Sequence, residues 1–579
     1  MRKFGNGVLV TTVIAVALVV TTTVSISLPA SAAGVTYTWT GNGDQHSWTD
    51  ALNWNPNGVP GAGDMVTIGT TTNPGPQVYV PSGTTVAGLT LAVEGFLYSG
   101  PTLQQTPSDI TITGTFDWTG NTTTSGIYIA VDALGSVVVS GNGGKILNSE
   151  QGGRLTIEPS ATLTLANSHI DLGGQAVIDV KGTFDAGPGS VVNASTCCVV
   201  ASTVVNEPTG VITVAPSGTT AGSLLLNAAE LNDMGTIDVG KGCAFSLTAP
   251  ATLADGVSLN GAGTTTVTSQ LNLGSNLLLG KGHHFDIGVN AVVEGTSLIS
   301  GSARVGWSGG EIDGDVTVGP KVATSISGSA GKALAGTGGL GPGDLTLQGK
   351  SALSGTGRLL MGGTSVLTNS GSLDIKGGAD VEGGTNSILN AGTLTVVAGK
   401  STAKIVGPQL DNSGTVVLKS GTFDVGLFDQ SSGSTELVGG KLVASQPVVV
   451  SGGTFFGHGV VSGGLDNAAV VAPNSSGGAL SDTGPFVASG AATLSVTIDG
   501  AGAGNGYSQL AVSGSAGIAG NLQITTSSGF TPSVGESFSI LTAGSGVSGV
   551  FSNVSGTQLS GGHQYIVTYT ANAVTLTVT

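Results

Sequence analysis

The densest acidic group in this 579-residue sequence is Glu311-Ile312-Asp313-Gly314-Asp315, which follows Trp307. Alternate residues of a β-strand point to the same face, so Glu311, Asp313 and Asp315 would share a face if the segment were one strand. Carboxylates on one face are candidates for a calcium site or for catalysis of glycosidic-bond cleavage. The competing interpretation is a solvated face beside a glycine turn.

A second group that could do chemistry is His283-His284-Phe285-Asp286. Adjacent residues of a strand point to opposite faces, so the two histidines are poorly placed to bind one metal ion, and we expect them at a surface or a corner. Arg304 and Lys321 are the bases nearest to the acidic group, and a lyase would need such a base. We expect no metal or other cofactor, with calcium at the acidic group as the alternative.

Aromatic residues concentrate near the start of the chain, where Trp39, Trp48 and Trp54 are three of the five tryptophans. Exposed indole faces suit stacking on sugar rings, so these three residues are candidates for ligand binding. We expect them to form a cap instead, because a repeat protein must cover the exposed end of its first repeat.

Asp44, His46 and Asp50 lie among these tryptophans and could form a further polar site. No G-x-S-x-G motif surrounds them, which argues against a nucleophile there. The sequence also carries no Walker loop, no dinucleotide fingerprint in a βαβ context and no HExxH motif. The many G-x-G strings are expected by chance, because 99 residues are glycine.

Charged residues make up only 9% of the chain, with 17 lysines and arginines against 34 aspartates and glutamates, and the net charge is −17. This balance argues against a nucleic-acid partner, because no basic stripe is available to neutralise phosphates. It also leaves few ionisable groups from which to build a catalytic site. Hydrophobic residues make up 39%, enough to bury a core, and the lack of a Gly-X-Y period excludes collagen.

Residues 1–32 have the pattern of a secretory signal peptide. Arg2 and Lys3 precede an apolar run at residues 8–20, and Ala30-Ser31-Ala32 forms a small-residue cleavage site. An uncleaved membrane anchor is the alternative, although threonines interrupt the apolar run. We expect a secreted, extracellular protein with no membrane span after signal removal, held at the cell surface, if at all, by non-covalent contacts.

The three cysteines, Cys197, Cys198 and Cys243, are too few for a disulfide framework. With the repeat described below, Cys243 lies two repeats from the vicinal pair, about 10 Å away if stacked strands are ~4.8 Å apart. That separation is too long for a bridge. We expect buried thiols, with a bridge from Cys197 or Cys198 to Cys243 as the alternative.

A repeated unit supplies the main structural signal. It consists of an asparagine, a small residue, a glycine and then a β-branched run, and it begins at Asn369, Asn390 and Asn412, at spacings of 21 and 22 residues. Weaker copies begin at Asn206 and Asn232. Fixed self-similarity near 20 residues is the signature of a solenoid.

This repeat predicts an all-β fold, a right-handed parallel β-helix. Two or three short strands plus turns account for one repeat, and glycine and asparagine permit the positive φ of sharp corners. We expect asparagines at one corner of successive coils to form a hydrogen-bonded ladder. A leucine-rich horseshoe lacks its consensus here, and a row of β-sandwiches is the remaining alternative.

The chain divides into four predicted parts. These are the signal peptide at 1–32, a tryptophan-rich cap at 33–84, β-helix repeats at 85–464, and a C-terminal β segment at 465–579 that closes the solenoid.

Several motifs occur in a recognisable order. They are Trp39-Thr40-Gly41, Trp48, Asn53-Trp54, Pro60, Asp64 and Val66-Thr67-Ile68, then Trp307-Ser308-Gly309-Gly310, then glycine-rich and Phe-x-Ile-Leu motifs within residues 453–478 and 507–551. Together they resemble bacterial secreted parallel β-helix proteins and autotransporter-like passengers, and the resemblance implies a structural or adhesin-like role. Because the sequence to Thr579 contains no translocator barrel, we expect simple export.

These observations favour an exported, non-catalytic structural or adhesin-like β-solenoid that acts at the cell surface or in the extracellular matrix by multivalent contacts. Polysaccharide or other cell-envelope components are the expected partners. The alternative is a polysaccharide-degrading β-helix enzyme, either a lyase or a glycoside hydrolase. A flank with three or more convergent acidic and basic side chains would favour that enzyme. A non-catalytic carbohydrate-binding protein is the second alternative.

Overall fold

The structure, a computed structural model, describes residues 34–69, 76–92, 96–99, 107–120, 122–125, 127–132, 135–141, 144–148, 153–194, 202–334 and 343–579. The predicted signal peptide, Cys197 and Cys198 lie outside these residues. Strands make up 59% of the structure and helix 1%, and the chain winds into a parallel β-solenoid of about 18 turns. At about 4.8 Å per turn the solenoid is roughly 85 Å long. The helical segments are the short 3-10 turns Ala51–Asn53 and Ser560–Gly562.

Each strand pairs in parallel with the strand one turn further along the chain, and each turn contributes one strand to each of three sheets. The strands of sheet 1 are Thr36–Trp39, Met65–Ile68, Gly88–Leu91, Thr115–Trp118, Ser136–Val139, Thr162–Leu165, Thr183–Ala186, Val211–Val214, Thr236–Val239, Ser258–Asn260, Asn276–Leu279, Thr296–Gly301, Asp315–Val318, Asp344–Leu347, Val366–Asn369, Ser387–Asn390, Val448–Val450, Leu465–Asn467, Phe486–Ala488, Ala516–Ile518 and Val547–Gly549, with Trp54–Asn55 added antiparallel to the first.

The strands of sheet 2 are Gln77–Tyr79, Phe96–Tyr98, Thr122–Ser125, Lys145–Asn148, His169–Leu172, Ser190–Ala194, Ser223–Asn227, Ala244–Leu247, Thr264–Val267, His284–Ile287, Arg304–Trp307, Ala323–Ile326, Lys350–Leu353, Ser372–Lys376, Val470–Pro473, Thr493–Ile498, Asn521–Thr526 and Asn553–Ser555.

The strands of sheet 3 are Thr84–Val86, Ser108–Ile112, Ile127–Val131, Arg154–Ile157, Val177–Val180, Thr203–Asn206, Glu230–Asp233, Ala251–Leu253, Gln270–Leu273, Val292–Glu294, Gly310–Ile312, Lys332–Leu334, Leu359–Met361, Asp380–Gly383, Leu480–Asp482, Leu510–Val512, Ser537–Ala543, Tyr565–Tyr569 and Ala573–Val578. Four longer strands bend around corners and pair in more than one sheet: Thr393–Asn412, Thr415–Gln430, Ser434–Ala444 and Thr454–Ser462.

The two-residue alternation of each strand decides which side chains form the core. In Val211–Val214, for example, Ile212 and Val214 are buried inside the solenoid, while Val211 and Thr213 are partly exposed on its outer surface. Burying an aliphatic side chain of this size contributes about 1.5–3 kcal/mol. The parallel register stacks the inward residues of successive turns into one continuous core.

The predicted asparagine ladder is present at the corner that ends the strands of sheet 1. Asn369 donates from Nδ2 to Oδ1 of Asn390 at 2.7 Å, and Asn390 donates in the same way to Asn412 at 2.7 Å. Asn412 in turn donates to Oε1 of Gln430 at 3.4 Å. These four side chains are buried, so the ladder satisfies amide groups that would otherwise be costly to bury; Oδ1 of Asn369, at its first position, has no partner among the described residues.

The glycines of the repeated unit are required for a reason other than the one that the sequence indicates. Gly392 and Gly414 do not adopt positive φ. A Cβ on Gly392 would instead collide with the carbonyl oxygen of Gly371, and a Cβ on Gly414 would collide with that of Gly392. Close approach of successive turns therefore selects glycine at this corner.

The weaker repeat copy assigned to Asn232 is displaced by one residue. Asp233, not Asn232, lies opposite Asn206, and Nδ2 of Asn206 donates to its Oδ1 at 2.7 Å. Asn232 lies on the outer surface because adjacent strand residues face opposite sides. The buried position opposite Asn206, at the corner that ends the strands of sheet 3, is therefore occupied by a carboxylic acid.

The C-terminal end is closed by an antiparallel hairpin. Parallel pairing continues past residue 464 as far as Asn553–Ser555. Ala573–Val578 then pairs antiparallel with both Ser537–Ala543 and Tyr565–Tyr569. Phe538 packs edge-on against Tyr565 beneath this hairpin, with ring centroids 6.1 Å apart.

Cys243 is a free, buried thiol, and its Sγ accepts a hydrogen bond from the backbone N–H of Gly222 at 3.2 Å.

Candidate functional site

The acidic group does not form a shared carboxylate face. Glu311 lies on sheet 3 in Gly310–Ile312, whereas Asp315 begins the sheet 1 strand Asp315–Val318. Asp313 lies at the corner between them and is 7% exposed, and its Oδ1 has no hydrogen-bond partner within the described part of the chain. The shared face that a single strand would give is therefore absent, because a corner interrupts the segment.

The three candidate tryptophans form the interior of the N-terminal cap. Trp39, Trp48 and Trp54 are 1–3% exposed. The ring of Trp54 meets those of Trp39 and Trp48 edge-on, at centroid distances of 4.9 and 5.0 Å, and its Nε1 donates to the carbonyl oxygen of Trp48 at 2.8 Å. Because no ring face is open to solvent, these indoles do not provide a platform for a sugar.

The carboxylate of Asp44 is a structural acceptor in the same cap. Its Oδ1 accepts from the backbone N–H of His46 at 2.9 Å, from that of Ser47 at 2.7 Å and from Nδ2 of Asn53 at 2.7 Å. The two backbone N–H donors lower the pKa of Asp44 well below its ordinary value. Oδ2 of Asp50 accepts from the backbone N–H of Asp44 at 2.8 Å.

The side chain of His46 also makes its contacts within the cap. Its Nδ1 lies 3.2 Å from the carbonyl oxygen of Gln77, and its ring stacks on that of Tyr79 with centroids 5.1 Å apart. Asp44, His46 and Asp50 therefore hold the first turns together.

His283 and His284 lie on opposite sides of the wall, as the sequence predicts. His283 is fully buried, with Nδ1 3.0 Å from the carbonyl oxygen of Asn260 and Nε2 3.1 Å from Oγ1 of Thr265. Burial lowers its pKa, which favours a neutral ring. His284 lies on the outer face of sheet 2. Metal binding needs several ligands close together, and the residues that the structure covers include no group of three or more histidine, cysteine, aspartate or glutamate side chains placed to hold a metal ion.

A groove on the outer face of sheet 2 brings His284, Asp286 and Arg304 together. His284 lies directly opposite Arg304 on the next turn, and Asp286 lies opposite Gly306. Arg304 lies opposite Ala323, whose strand pairs with the strand that begins at Lys350. The groove has a volume of about 630 Å³ and is lined among others by Thr266, His284, Asp286, Arg304, Ser325 and Lys350.

Small residues create the depression. Gly306 has no side chain, and a Cβ there would collide with Oδ1 of Asp286, so the carboxyl group lies over Gly306. Ala323 separates Arg304 from the strand of Lys350. Partial burial raises the pKa of Asp286, although the neighbouring His284 acts in the opposite direction.

The two cations of the groove are uncompensated. Four lysines or arginines of the described residues are paired with acids, such as Arg358 with Glu382 at 2.7 Å. Arg304 and Lys350 are exposed, and neither forms a salt bridge with any residue of the described ranges. Because Coulomb attraction to an ion is strongest where no partner already neutralises it, the groove is suited to a ligand that carries negative charge.

A second groove on the same sheet has a different chemistry. It has a volume of about 690 Å³ and is lined by hydroxyl side chains such as Ser434, Thr454 and Thr497 around the partly exposed ring of Phe456. No charged side chain is among its described lining residues. This uncharged groove therefore contrasts with the groove that contains Arg304 and Lys350, which is lined by charged side chains.

Sequence reasoning identified His284 and Asp286 as one group and Arg304 as a base near another group, and it did not join them. Lys350 was not singled out, because only the pairing of strands places it beside Arg304. Within the described ranges, no helix has the length and apolarity needed to cross a membrane. The chain matches no protein-family model and no curated protein.

Proposed function

We propose that this protein is an exported structural or adhesin-like solenoid that acts at the cell surface or in the extracellular matrix through many weak contacts. The observation that carries the proposal is the alignment of outward hydroxyl groups along the solenoid. On sheet 2, Thr393 lies opposite Thr415, Thr415 opposite Ser434, and Ser434 opposite Thr454. Such a column repeats one weak contact on successive turns.

Rigid repetition of this kind suits a polymer or a coated surface as partner. The turns are fixed relative to one another by the sheets, so a second contact forms at high effective concentration once a first has formed. Polysaccharides of the cell envelope or matrix, which repeat along their own length, are the partners we propose.

A polysaccharide-degrading enzyme is the second candidate, and the convergence of His284, Asp286, Arg304 and Lys350 in one groove favours it. Glycoside hydrolysis ordinarily requires two carboxyl groups across the scissile bond. Asp286 is the single carboxylate among the described lining residues of the groove. We therefore rank binding above cleavage.

The test uses the full-length protein and surfaces coated with acidic or neutral polysaccharide at graded density. Multivalent binding predicts an apparent affinity that rises at least about a hundredfold from sparse to dense coating. Release of reducing ends and of unsaturated sugar products is measured in the same samples. Retention that depends on density without any cleavage supports the proposal.

Cleavage of any polymer would overturn the proposal in favour of the enzyme. Absence of binding at every density would overturn the adhesive role. Cell fractionation of the native producer tests export, which predicts recovery from the medium or from the protease-accessible surface. Recovery from the cytoplasm alone would contradict it.

A further inference from the structure

We propose that the groove of His284, Asp286, Arg304 and Lys350 binds a negatively charged saccharide chain that lies along the solenoid axis. This inference rests on the proposed contact with polysaccharides and names the class of polysaccharide that one site would bind. Its first support is charge. In a chain with 34 acidic and only 17 basic residues, Arg304 and Lys350 are two exposed cations without a salt-bridge partner in the described structure.

The second support is spacing. Arg304 and Lys350 begin strands two turns apart, so their backbones are separated by about 10 Å along the axis. One turn of the solenoid advances by nearly the length of one pyranose ring in an extended chain. A polymer lying along the axis thus places sugars on successive turns, and acid groups on alternate sugars meet both cations.

The third support is the hydrogen-bonding inventory of the groove. The guanidinium of Arg304 can form two parallel hydrogen bonds to a carboxylate or sulfate group, and the ammonium of Lys350 supplies a second charged donor. Asp286 accepts hydrogen bonds from sugar hydroxyls, and Ser325 both donates and accepts. The small side chain of Ala323 leaves room for the ring between the two cations.

A nucleic acid is a weaker match for the same groove. A duplex requires a longer row of cations, and a single strand requires exposed aromatic rings for base stacking. Trp307 is the only tryptophan, tyrosine or phenylalanine among the described lining residues, and it is 1% exposed. We therefore commit to an acidic saccharide and use an oligonucleotide as a discriminating probe.

The experiment measures binding of the full chain to polygalacturonate, dextran sulfate, neutral dextran and a single-stranded oligonucleotide. The two polyanions distinguish carboxylate from sulfate as the recognised group. The test variant is the double substitution Arg304→Gln and Lys350→Gln. The matched control, Lys419→Gln with Lys441→Gln, removes the same charge from exposed positions elsewhere.

We expect the wild type to bind at least one polyanion more tightly than neutral dextran, with weaker binding at high salt. The groove variant should lose about tenfold or more in affinity, because it lacks two charge-assisted contacts, whereas the control should stay within about twofold. Circular dichroism and thermal unfolding of both variants establish that the fold is retained.

Three results would overturn the inference. They are equal binding of dextran and both polyanions, equal losses in the groove variant and the control, and tighter binding of the oligonucleotide than of either polysaccharide. If one of these results occurs and the wild type still binds neutral coated surfaces in a density-dependent way, the inference fails while the proposed function stands. If it binds no surface at all, both fail.

Discussion

Replacing Asp233 with asparagine should stabilise the central turns at neutral and alkaline pH and leave their stability nearly unchanged at about pH 4. Asp233 is 1% exposed and lies opposite Asn206 on the neighbouring turn. Its Oδ1 accepts from Nδ2 of Asn206 at 2.7 Å and from the backbone N–H of Gly235 at 3.0 Å. Its Oδ2 has no hydrogen-bond partner among the described residues.

The magnitude follows from the pKa of this carboxyl group. Burial raises the pKa of Asp233 from 3.8 to about 6, against the opposing effect of its two hydrogen bonds. One pKa unit corresponds to about 1.4 kcal/mol, so the ionised form costs the folded state about 3 kcal/mol. Because the pKa of the folded state is raised, stability falls as the pH rises from about 4 to about 6 and stays constant above that range. Asparagine keeps the acceptor for Asn206 and cannot ionise.

Local opening of these turns can be measured through Cys243, which is buried in the same turn. The assay is labelling with a disulfide reagent that reacts in acid, read by mass spectrometry of peptides so that Cys197 and Cys198 are counted separately. When opening is in rapid equilibrium, the rate reports the local free energy. At about pH 8 the variant should react about a hundredfold more slowly than the wild type, and at about pH 4 the two rates should agree within about twofold.

The matched control is Asp238→Asn, which removes the same charge from an exposed position on the following strand. For this control, the ratio of its Cys243 labelling rate to the wild-type labelling rate should not depend on pH. A ratio for Asp233→Asn that is the same at both pH values, or faster labelling of that variant at about pH 8, would refute the reasoning. Either result would mean that the buried carboxyl group does not govern the stability of this turn.

Three further substitutions test the packing directly by urea unfolding, which is followed by circular dichroism for the asparagine and glycine variants and by tryptophan fluorescence for the cap. Asn390→Ala breaks hydrogen bonds on both sides of the ladder and should destabilise the repeats by about 2–4 kcal/mol; an unchanged midpoint would contradict the ladder's role. Gly392→Ala should cost about 1–3 kcal/mol, whereas Gly490→Ala, at a position with open space, should cost nothing measurable; equal effects would refute the close-approach argument. Trp54→Phe removes the bond to the Trp48 carbonyl and should destabilise the cap by about 1–3 kcal/mol; unaltered fluorescence unfolding of the cap would count against it.

The spacing of Asn369, Asn390 and Asn412 was sufficient to predict both the solenoid and the ladder. A side chain that repeats once per turn must stack on its own copies, whatever the detailed path of the turn. The weaker copies were harder to interpret. Asn232 and Asp233 are adjacent in the sequence, and only the register shows that the acid occupies the buried position.

Candidate site residues were predicted less well than the fold. The acidic group of Glu311, Asp313 and Asp315 depended on one assumption, that a single strand runs through all three. A corner at Asp313 separates the two strands and removes the shared face. At this corner Gly314 closely approaches the backbone of Gly295 on the previous turn, and composition alone does not reveal where such a corner falls.

The sequence by itself determined that this chain forms a repetitive all-β structure with few charges. Strand alternation and the asparagine-glycine period are local properties, so they can be recognised before the register of the strands is known. Only the tertiary structure decided which charges meet. His284, Arg304 and Lys350 come together because successive turns stack at about 4.8 Å, and turns of unequal length hide that proximity in the sequence. The same stacking buried the tryptophans of the cap and left the groove of sheet 2 open.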